Sequence, residues 1–380
     1  SETFKFFVPE KKISALKKLL SSLILRQRGS AREISRVAGM IISMKPAIGS
    51  ISQILTRHLF FFINEKPTWD RQHDLNNEVC EELLFWFNNL DFYNGHKIRT
   101  NNSITKVVFS DASEKGYGSF IIEKLGNIVA RDNFNYSEKG TSSTYRELLA
   151  VKYSLESFYS LLTNQKILWH SDNTNVARII QIGSRKHHLQ NIALDIFKLC
   201  LKFDIEITTQ WIPREYNQIA DQISKYIDYD DWSIDYESFS YIQEKFGKFT
   251  FDRFASYTNR KVDSFNSKFY CPGTLGVDSF TCDWSNHFNW LCPPISLIGD
   301  TLRHLKSCKG KGVLFVPLWR SAYYWPLITK KEGTFESFVS GYLILQPYFL
   351  SNCSSLFKGF ANFNSIALYL DFSSLEKTSK

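Results

Sequence analysis

No stretch of this sequence stays apolar long enough to cross a bilayer: the longest runs, such as residues 59–63, fall far short of the roughly 20 residues a span requires. No early segment joins a basic start to a continuous apolar core and a small-residue cleavage site, so no secretory signal is expected. The seven cysteines (Cys80, Cys200, Cys271, Cys282, Cys292, Cys308, Cys353) lack the short paired spacings of a zinc site or a disulfide framework. They read as reduced thiols of an intracellular protein, cytoplasmic or nuclear, with no membrane partner. Hydrophobic residues are not scarce: at 43% they allow a packed core and argue against wholesale disorder. The 380 residues suggest two or three domains. Lys and Arg number 46 against 38 Asp and Glu, and the resulting +8 is compatible with a polyanionic partner without requiring one.

Four carboxylates recur between residues 107 and 225, each in a setting that would aim it at one point. Asp111 ends the apolar run Val107, Val108, Phe109, and Asp172 ends a second, Ile167, Leu168, Trp169. Glu147 opens a helical pattern after Thr144, Tyr145 and Arg146. Asp221 follows Asn217, Gln218, Ile219 and Ala220, after a third apolar run containing Ile205, Ile207 and Trp211. Gathered carboxylates repel, so such a cluster makes physical sense only if a cation offsets the charge. Hard oxygen ligands suit Mg²⁺ or Mn²⁺. Two such ions roughly 3.5–4 Å apart can clamp the attacking and leaving oxygens of a phosphoryl displacement. Taken one at a time, the same residues are ordinary: strand-end caps, a solvent-facing residue near a helix start, a surface charge.

Residues 1–100 read as helical. Over 10–25, Ile13, Leu16, Leu19, Leu20 and Leu23 form one apolar stripe with lysines opposite. Ser30 and Glu33 have the capping-box spacing ahead of Ile34, Val37 and Ile41. The pattern continues over 51–62 and 75–90. Lys11, Lys12, Lys17, Lys18, Arg26, Arg28, Arg32 and Arg36 form either a solvated helix face or a surface that grips a duplex backbone. Asn94-Gly95 and Asn101-Asn102 mark a turn-rich joint. Strands are expected at 105–110 and 117–123, with Gly116 and Gly118 letting the chain bend close to Asp111, and a third after the Gly126-Asn127 turn. Ser143 or Thr144 should cap a helix running to about 159. A strand at 166–170, helices at 174–181 and 187–202, a strand at 205–211 and a helix from about 216 complete a mixed α/β layer.

This order carries a resemblance. Phe109-Ser110-Asp111-Ala112-Ser113, Arg146-Glu147-Leu148, His170-Ser171-Asp172-Asn173, and Trp211-Ile212-Pro213 followed by Asn217 and Ala220-Asp221 resemble the ribonuclease H region of retrotransposon reverse transcriptases. The stretch Ser30-Ala31-Arg32-Glu33 through Val37-Ala38-Gly39, with Thr56-Arg57 and Glu81-Glu82-Leu83-Leu84-Phe85-Trp86, is similar to the piece that follows the polymerase palm, most closely in DIRS-type, tyrosine-recombinase retroelements. The resemblance implies an α/β fold class: a ribonuclease H-like mixed five-stranded sheet with flanking helices at 101–228, preceded by an all-α region at 1–100 resembling a thumb or connection, and followed by a smaller α/β domain at 240–380. The polymerase fingers and palm have no counterpart here, so DNA synthesis by this chain alone is not expected.

The resemblance further implies a metal-dependent endonuclease that cleaves the RNA strand of RNA·DNA hybrids as part of a retroelement reverse transcriptase. Asp111 would bridge two Mg²⁺ or Mn²⁺ ions, with Glu147 and Asp172 on one and Asp221 on the other. The partners would be an RNA·DNA hybrid or other nucleic acid and the polymerase part of the same polyprotein. The RNA strand would be recognised by its 2′-hydroxyls. Ser113, Arg146, Asn173 and Arg214 are the nucleic-acid-binding candidates; each could equally be a cap or surface group. The family often carries a histidine in the loop before the last acidic residue, and 211–221 has none; Arg214 and Glu215 stand there, and Glu215 could substitute. His170, His187 and His188 read as structural.

A third region, with Phe249-Thr250-Phe251-Asp252-Arg253-Phe254-Ala255-Ser256, Val277-Asp278-Ser279-Phe280 and Val316-Pro317-Leu318-Trp319, resembles the domain following ribonuclease H in DIRS-type elements, itself similar to adenine-N6 DNA methyltransferases. Those enzymes place Asn or Asp before Pro-Pro and usually an aromatic after it, to bind the target amine and stack the flipped base. Here the motif is Cys292-Pro293-Pro294-Ile295, and a thiol is a poor acceptor. The expectation is an inactive scaffold, or a nucleic-acid-binding remnant with its aromatics in the core and the Phe- and Tyr-rich 342–370 tail packed against it. The alternatives to the nuclease reading are thus an inactive nucleic-acid-binding module and a DNA adenine methyltransferase-related protein.

Overall fold

Apolar periodicity places the first helices, and polar side chains end them. In the computed structural model, which describes residues 5–97, 104–347 and 363–373, α1 (Glu10–Arg26) buries Ile13, Leu16, Leu20 and Leu23 and stops at Gln27, which takes a left-handed φ of 50°. The capping box forms: the Glu33 N–H donates to Ser30 Oγ at 3.2 Å and the Ser30 N–H to Glu33 Oε2 at 2.9 Å, opening α2 (Ala31–Ser43). The single helix expected over 51–62 is broken. A short turn at Ile51–Ile54 gives way at Leu55-Thr56 to α3 (Arg57–Glu65). The break is held by other groups: Trp86 Nε1 donates to Leu55 O at 2.7 Å, and the buried Glu82 carboxylate accepts the His58 and Leu59 N–H groups, each at 3.1 Å. Trp86 and Glu82 lie on α4 (Asn77–Tyr93), capped by Asn76. Two-residue strand pairs, Lys5–Phe6 with His96–Lys97 and Arg28–Gly29 with His73–Asp74, tie this otherwise helical part together. Of the turn-rich joint, Asn101-Asn102 lies outside the described residues.

The central layer contains β1 (Lys106–Ala112), β2 (Gly116–Ile121), β3 (Ile128–Asn133), α5 (Ser143–Leu162), β4 (Lys166–Ser171), α6 (Thr174–Ile182), α7 (His187–Lys202), β5 (Glu206–Trp211) and α8 (Gln218–Lys225). Its strand order is β3-β2-β1-β4-β5, with β1 antiparallel to β2, β2 antiparallel to β3, and β4 and β5 parallel to β1. This is the ribonuclease H-like mixed five-stranded sheet with flanking helices. Val108, Ile121, Ile167 and Trp169 pack against Leu148, Val151, Leu155 and Phe158 of α5 and Ile192 and Ile196 of α7 in one buried cluster. The cap of α5 is Ser142, whose Oγ accepts the Tyr145 N–H at 3.3 Å, one position before the expected Ser143 or Thr144.

The register of this sheet decides where chemistry can sit. Phe109 pairs with His170 across the parallel β1–β4 ladder, so Asp111 and Asp172, each two residues further on, emerge at the same sheet end. Asp111 pairs with Gly118 on the other side. The role of Gly118 is close approach rather than a bend: a Cβ there would stand 2.7 Å from the carbonyl carbon of Ile223 and closer still to the Ser224 nitrogen. Only a glycine lets α8 lie directly on β2.

The rest of the chain builds a second sheet from α9 (Tyr236–Phe246), β6 (Phe251–Ala255), β7 (Phe265–Ser267), β8 (Phe288–Leu291), α10 (Ile298–Ser307), β9 (Lys311–Pro317), β10 (Val339–Leu345) and β11 (Ser365–Asp371). The order is β7-β6-β8-β9-β11-β10, with the first four strands parallel and β11 antiparallel to both its neighbours. Among the described residues it has six strands against five in the central sheet. The 342–370 tail supplies two of those strands, with 348–362 outside the described residues. Between the two sheets, within the acidic stretch from Asp228 to Glu237, Trp232 and Ile234 are buried and Trp232 Nε1 donates to Pro293 O at 2.8 Å.

Substituting Gly118→Ala forces α8 off the sheet. The expected cost is ~1–3 kcal/mol in urea unfolding, as for other overpacked cores; unfolding indistinguishable from that of the unaltered chain would refute the close-approach argument.

Candidate active site

Each of the four carboxylates is placed by a different element, and the surroundings treat them differently. Asp111, near the end of β1, is buried, and its Oδ2 accepts the Ser224 hydroxyl at 2.9 Å across the Gly118 contact. Burial raises its pKa, and the nearby Asp172 and Asp221 charges push the same way against that hydrogen bond. Glu147, in the second turn of α5, accepts Asn173 Nδ2 at 3.1 Å and Ser171 Oγ at 3.3 Å. Burial, with Asp172 and Asp111 adding repulsion, lifts its pKa to about 7. Asp172, just past β4, is half-buried; burial raises it too, partly offset by the Arg214 guanidinium. Its backbone carbonyl accepts Trp211 Nε1 at 3.0 Å, which ties the ends of β4 and β5 together.

Asp221 is the exception. It is partly exposed on α8 and faces two cations, Lys225 Nζ at 2.7 Å and Arg214 Nη2 at 3.3 Å. Burial works against ionisation, but those two cations outweigh it and hold its carboxyl below the usual range. Asp111 thus lies within electrostatic reach of Asp172 and Asp221, and Glu147 within reach of Asp111 and Asp172, with Asp221 the outermost.

The other candidates are largely engaged by the chain itself. Ser113 Oγ donates to Ser224 O at 2.7 Å and accepts the Lys115 and Gly116 N–H groups, closing the β1–β2 turn. Arg146 donates to Ser113 O at 3.0 Å and to Thr141 O. Asn173 caps α6, its Oδ1 accepting the Asn175 N–H at 3.0 Å while its amide orients Glu147. Arg214 is exposed and paired with Asp221. Glu215 is exposed in the loop that lacks a histidine. His170 is half-buried against Phe109.

Residues that sequence reasoning passed over make the cluster rigid. Ser224, one turn after Asp221 on α8, is the partner of Asp111. Ser110 Oγ accepts Trp169 Nε1 at 2.8 Å, and Asn217 Nδ2 donates to Ser110 O at 3.0 Å, pinning the start of α8 to β1. Asn217 Oδ1 is buried with no hydrogen-bond partner among the described residues. Asn217 did carry a sequence signal through its motif; Ser224 carried only its spacing from Asp221.

Among the described residues, no three His, Cys, Asp or Glu side chains stand close enough to form a finished metal cage. The donor chemistry nevertheless suits a hard divalent cation, since the acidic groups at this sheet end are all carboxylates and the burial that raises Asp111, Glu147 and Asp172 is what such an ion relieves. Asp221 joins a ligand set only if it leaves Lys225 and Arg214. In the third region, Cys292 just beyond β8 is buried; burial drives its thiol far above the ordinary range, and its Sγ lies 3.8 Å from Trp232 O.

Comparison with known proteins bears on the central region. The family model described as "Reverse transcriptase-like" matches residues 105–227. That match spans about a third of the 380 residues. Similar solved structures include ribonuclease H1 from the halophilic archaeon Halobacterium salinarum NRC-1, at 16% identity over 31% of this chain and 92% of that one, with a TM-score of 0.27. LC11-RNase H1, isolated from compost by a metagenomic approach and solved with an RNA/DNA hybrid, has 18% identity over 31% of this chain and 93% of its own, with a TM-score of 0.27. The foamy viral protease-reverse transcriptase, also solved with an RNA/DNA hybrid, has 17% identity over 60% of this chain but 31% of its own, with a TM-score of 0.24. No curated protein matches the chain. No helix among the described residues is long and apolar enough to cross a membrane.

The raised pKa of Glu147 has a sign that can be read. The fold keeps its proton to about pH 7, whereas the unfolded chain releases it near the ordinary value of 4.5, so this group's contribution to stability falls as pH rises through that window. In chelated buffer, the gap in unfolding free energy between pH 5 and pH 8 should narrow in Glu147→Gln; a pH dependence unchanged by the substitution would contradict the assignment.

Proposed function

We propose that residues 105–227 cleave the RNA strand of RNA·DNA hybrids with the help of divalent cations, as the ribonuclease H part of a retroelement reverse transcriptase. The observation that carries this reading is geometric: the β1–β4 register brings Asp111 and Asp172 out at one sheet end, and the Ser171 hydroxyl and Asn173 amide on either side of Asp172 hold the Glu147 carboxylate there. Structural roles alone give no reason to gather carboxylates where each penalises the next. The match to the reverse transcriptase-like family supports the same reading.

In this reading Asp111, Glu147 and Asp172 hold Mg²⁺ or Mn²⁺, and Asp221 contributes once the cation competes with Lys225 and Arg214. A bound ion would supply an activated water and stabilise the departing 3′ oxygen. The chain's own groups set the geometry. Ser224 fixes the rotamer of Asp111, and the Asn173 amide with the Ser171 hydroxyl fixes Glu147. Trp211 anchors the backbone at Asp172. Such orienting hydrogen bonds are typically worth 10–100-fold in metal affinity or activity, so removing them should be felt at the chemistry. Arg214, released from Asp221, is free to meet the substrate backbone, and Glu215 beside it stands where the loop histidine of the family would serve proton movement.

With a labelled RNA·DNA hybrid and Mg²⁺ or Mn²⁺, the chain should yield RNA fragments. Asp172→Asn should lower the rate by at least on the order of 100-fold, more than removal of an orienting hydrogen bond would, while leaving hybrid binding within a few fold. Binding that is salt-sensitive but never followed by cleavage with either ion would replace the nuclease by a binding module.

Removing the Ser224 hydroxyl should act more gently. Ser224→Ala is expected to raise the Mg²⁺ concentration needed for half-maximal cleavage by about 10-fold or more, read by metal titration; an unshifted titration would remove Ser224 from the site.

A further inference from the structure

The last turn of α8, which carries Ser224 and follows Asp221, is held from outside the central sheet. The first residue beyond the helix, Tyr226, is gripped by three side chains. From β3, Arg131 Nη2 donates to Tyr226 O, and the guanidinium lies 5.6 Å from the centre of the Tyr226 ring. From the second sheet, just past β7, Lys268 Nζ donates to the Tyr226 hydroxyl at 2.9 Å and lies 5.3 Å from the ring centre. The Phe269 ring meets Tyr226 edge-on, with centroids 5.6 Å apart. Lys268 Nζ also pairs with Asp228 Oδ2 at 2.6 Å, so one ammonium bridges the ring and the next carboxylate along the chain. Burial disfavours the charge on Lys268, but its hydrogen bonds to Asp228 and Tyr226 outweigh that and raise its pKa.

The gripping groups are themselves fixed. Arg131 stands between two residues that the later chain holds: Ala130 forms a parallel bridge with Tyr270, and the Asp132 carboxylate accepts the Tyr257 N–H at 2.7 Å and the Thr258 hydroxyl at 2.9 Å. Past β7, the Ser267 hydroxyl donates to Phe269 O at 2.6 Å, and the Tyr270 ring packs on Phe158 of α5 with centroids 5.7 Å apart. α8 is therefore fastened at three points. Asn217 ties its start to Ser110, Gly118 receives the backbone at Ile223 and Ser224, and Tyr226 holds its end. The first two fastenings belong to the central sheet, whereas the third draws on the second sheet. A helix of eight residues is marginal by itself, and its final turn frays unless the end is held. Opening that turn would take the Ser224 hydroxyl off Asp111 and the Lys225 ammonium off Asp221.

We propose that Lys268, in the second sheet's part of the chain, is a positioning residue for the nuclease: by holding Tyr226 and Asp228 it keeps the last turn of α8 closed, and with it the Ser224 hydroxyl on Asp111. The second sheet then serves the carboxylate cluster without any chemistry of its own. Its influence falls on metal loading, since what Ser224 orients is a carboxylate rather than the substrate. This role rests on the nuclease reading for its link to metal, while the hold on α8 stands on the contacts alone.

Two readouts on the full chain separate the hold from the chemistry. Amide hydrogen exchange is followed by mass spectrometry across 218–227, and cleavage of an RNA·DNA hybrid is followed while Mg²⁺ and hybrid are titrated separately. Lys268 is exposed, so Lys268→Met removes the charge with the fold intact. It should speed exchange in the last turn of α8 about 5-fold or more, as one side chain's cation–π and ion-pair contacts are lost. It should also raise the Mg²⁺ concentration for half-maximal cleavage by about 3- to 10-fold, with KM for the hybrid and the circular dichroism spectrum unaltered. Lys268→Arg keeps a cation that reaches both partners and should restore both readouts. Lys330→Met removes a charge from an exposed loop elsewhere in the second region and should change neither. Unchanged exchange in α8, or exchange quickened evenly over the whole chain, overturns the proposal. So does a raised KM with an unmoved Mg²⁺ titration, which would put Lys268 on the substrate. A wild-type chain that never cuts, while Lys268→Met still loosens α8, would refute the nuclease and leave the hold on α8 standing.

Discussion

Electrostatic repulsion among buried carboxylates is the constraint around which the central part of this protein is arranged. Burial makes Asp111, Glu147 and Asp172 each harder to ionise, and neighbouring carboxylates add to it: Asp172 and Asp221 at Asp111, Asp172 and Asp111 at Glu147, Asp221 at Asp172. A fold concentrates like charge in this way only when something else holds the framework together, and here that is the apolar sheet–helix core of Val108, Trp169, Leu148 and Ile192 directly beneath. The site is strained in charge and secure in packing.

The fourth acidic residue arrives by a different route. α8 reaches the sheet because Gly118 offers no side chain, and two side chains then fasten it: Ser224 to the carboxylate of Asp111, and Asn217 to the backbone of Ser110. Asp221 therefore stands at the rim, where Lys225 and Arg214 neutralise it. A graded cluster results, with three groups poised toward protonation and one held ionised by its own helix and loop.

The second sheet is not a separate appendage to this framework. β3 would be an exposed edge, but Arg131 N–H donates to Tyr270 O at 3.0 Å and Tyr270 N–H to Val129 O at 3.1 Å, so a segment of the later chain continues the ladder. The buried Asp132 carboxylate accepts the Tyr257 N–H at 2.7 Å and the Thr258 hydroxyl at 2.9 Å from the same side. The helical part is fastened equally firmly to the other flank, through Arg57 on Ile182 and Gln190 on Ile54. Unpaired backbone groups and buried charges have thus become the joints between the parts.

Much of this was readable from sequence. The stripe of Ile13, Leu16, Leu20 and Leu23, the Ser30–Glu33 capping box and the alternation of strands and helices from 106 to 225 are local signals, and local hydrogen-bond geometry honours them. The four carboxylates were singled out because each followed an apolar run or opened a helix, and the sheet register then brings Asp111 and Asp172 to one end. What the sequence could not reveal depends on partners far away along the chain: the break at Leu55-Thr56 is imposed by Trp86 and Glu82, the need for glycine at 118 by a helix a hundred residues later, and the hold on Tyr226 by Lys268 and Phe269 from beyond β7. Periodicity and capping are written in neighbouring residues because they obey the spacing of a single helix or strand. Close approach, burial and the mutual shift of charged groups exist only once distant segments share the same space, and so only the tertiary structure decides them.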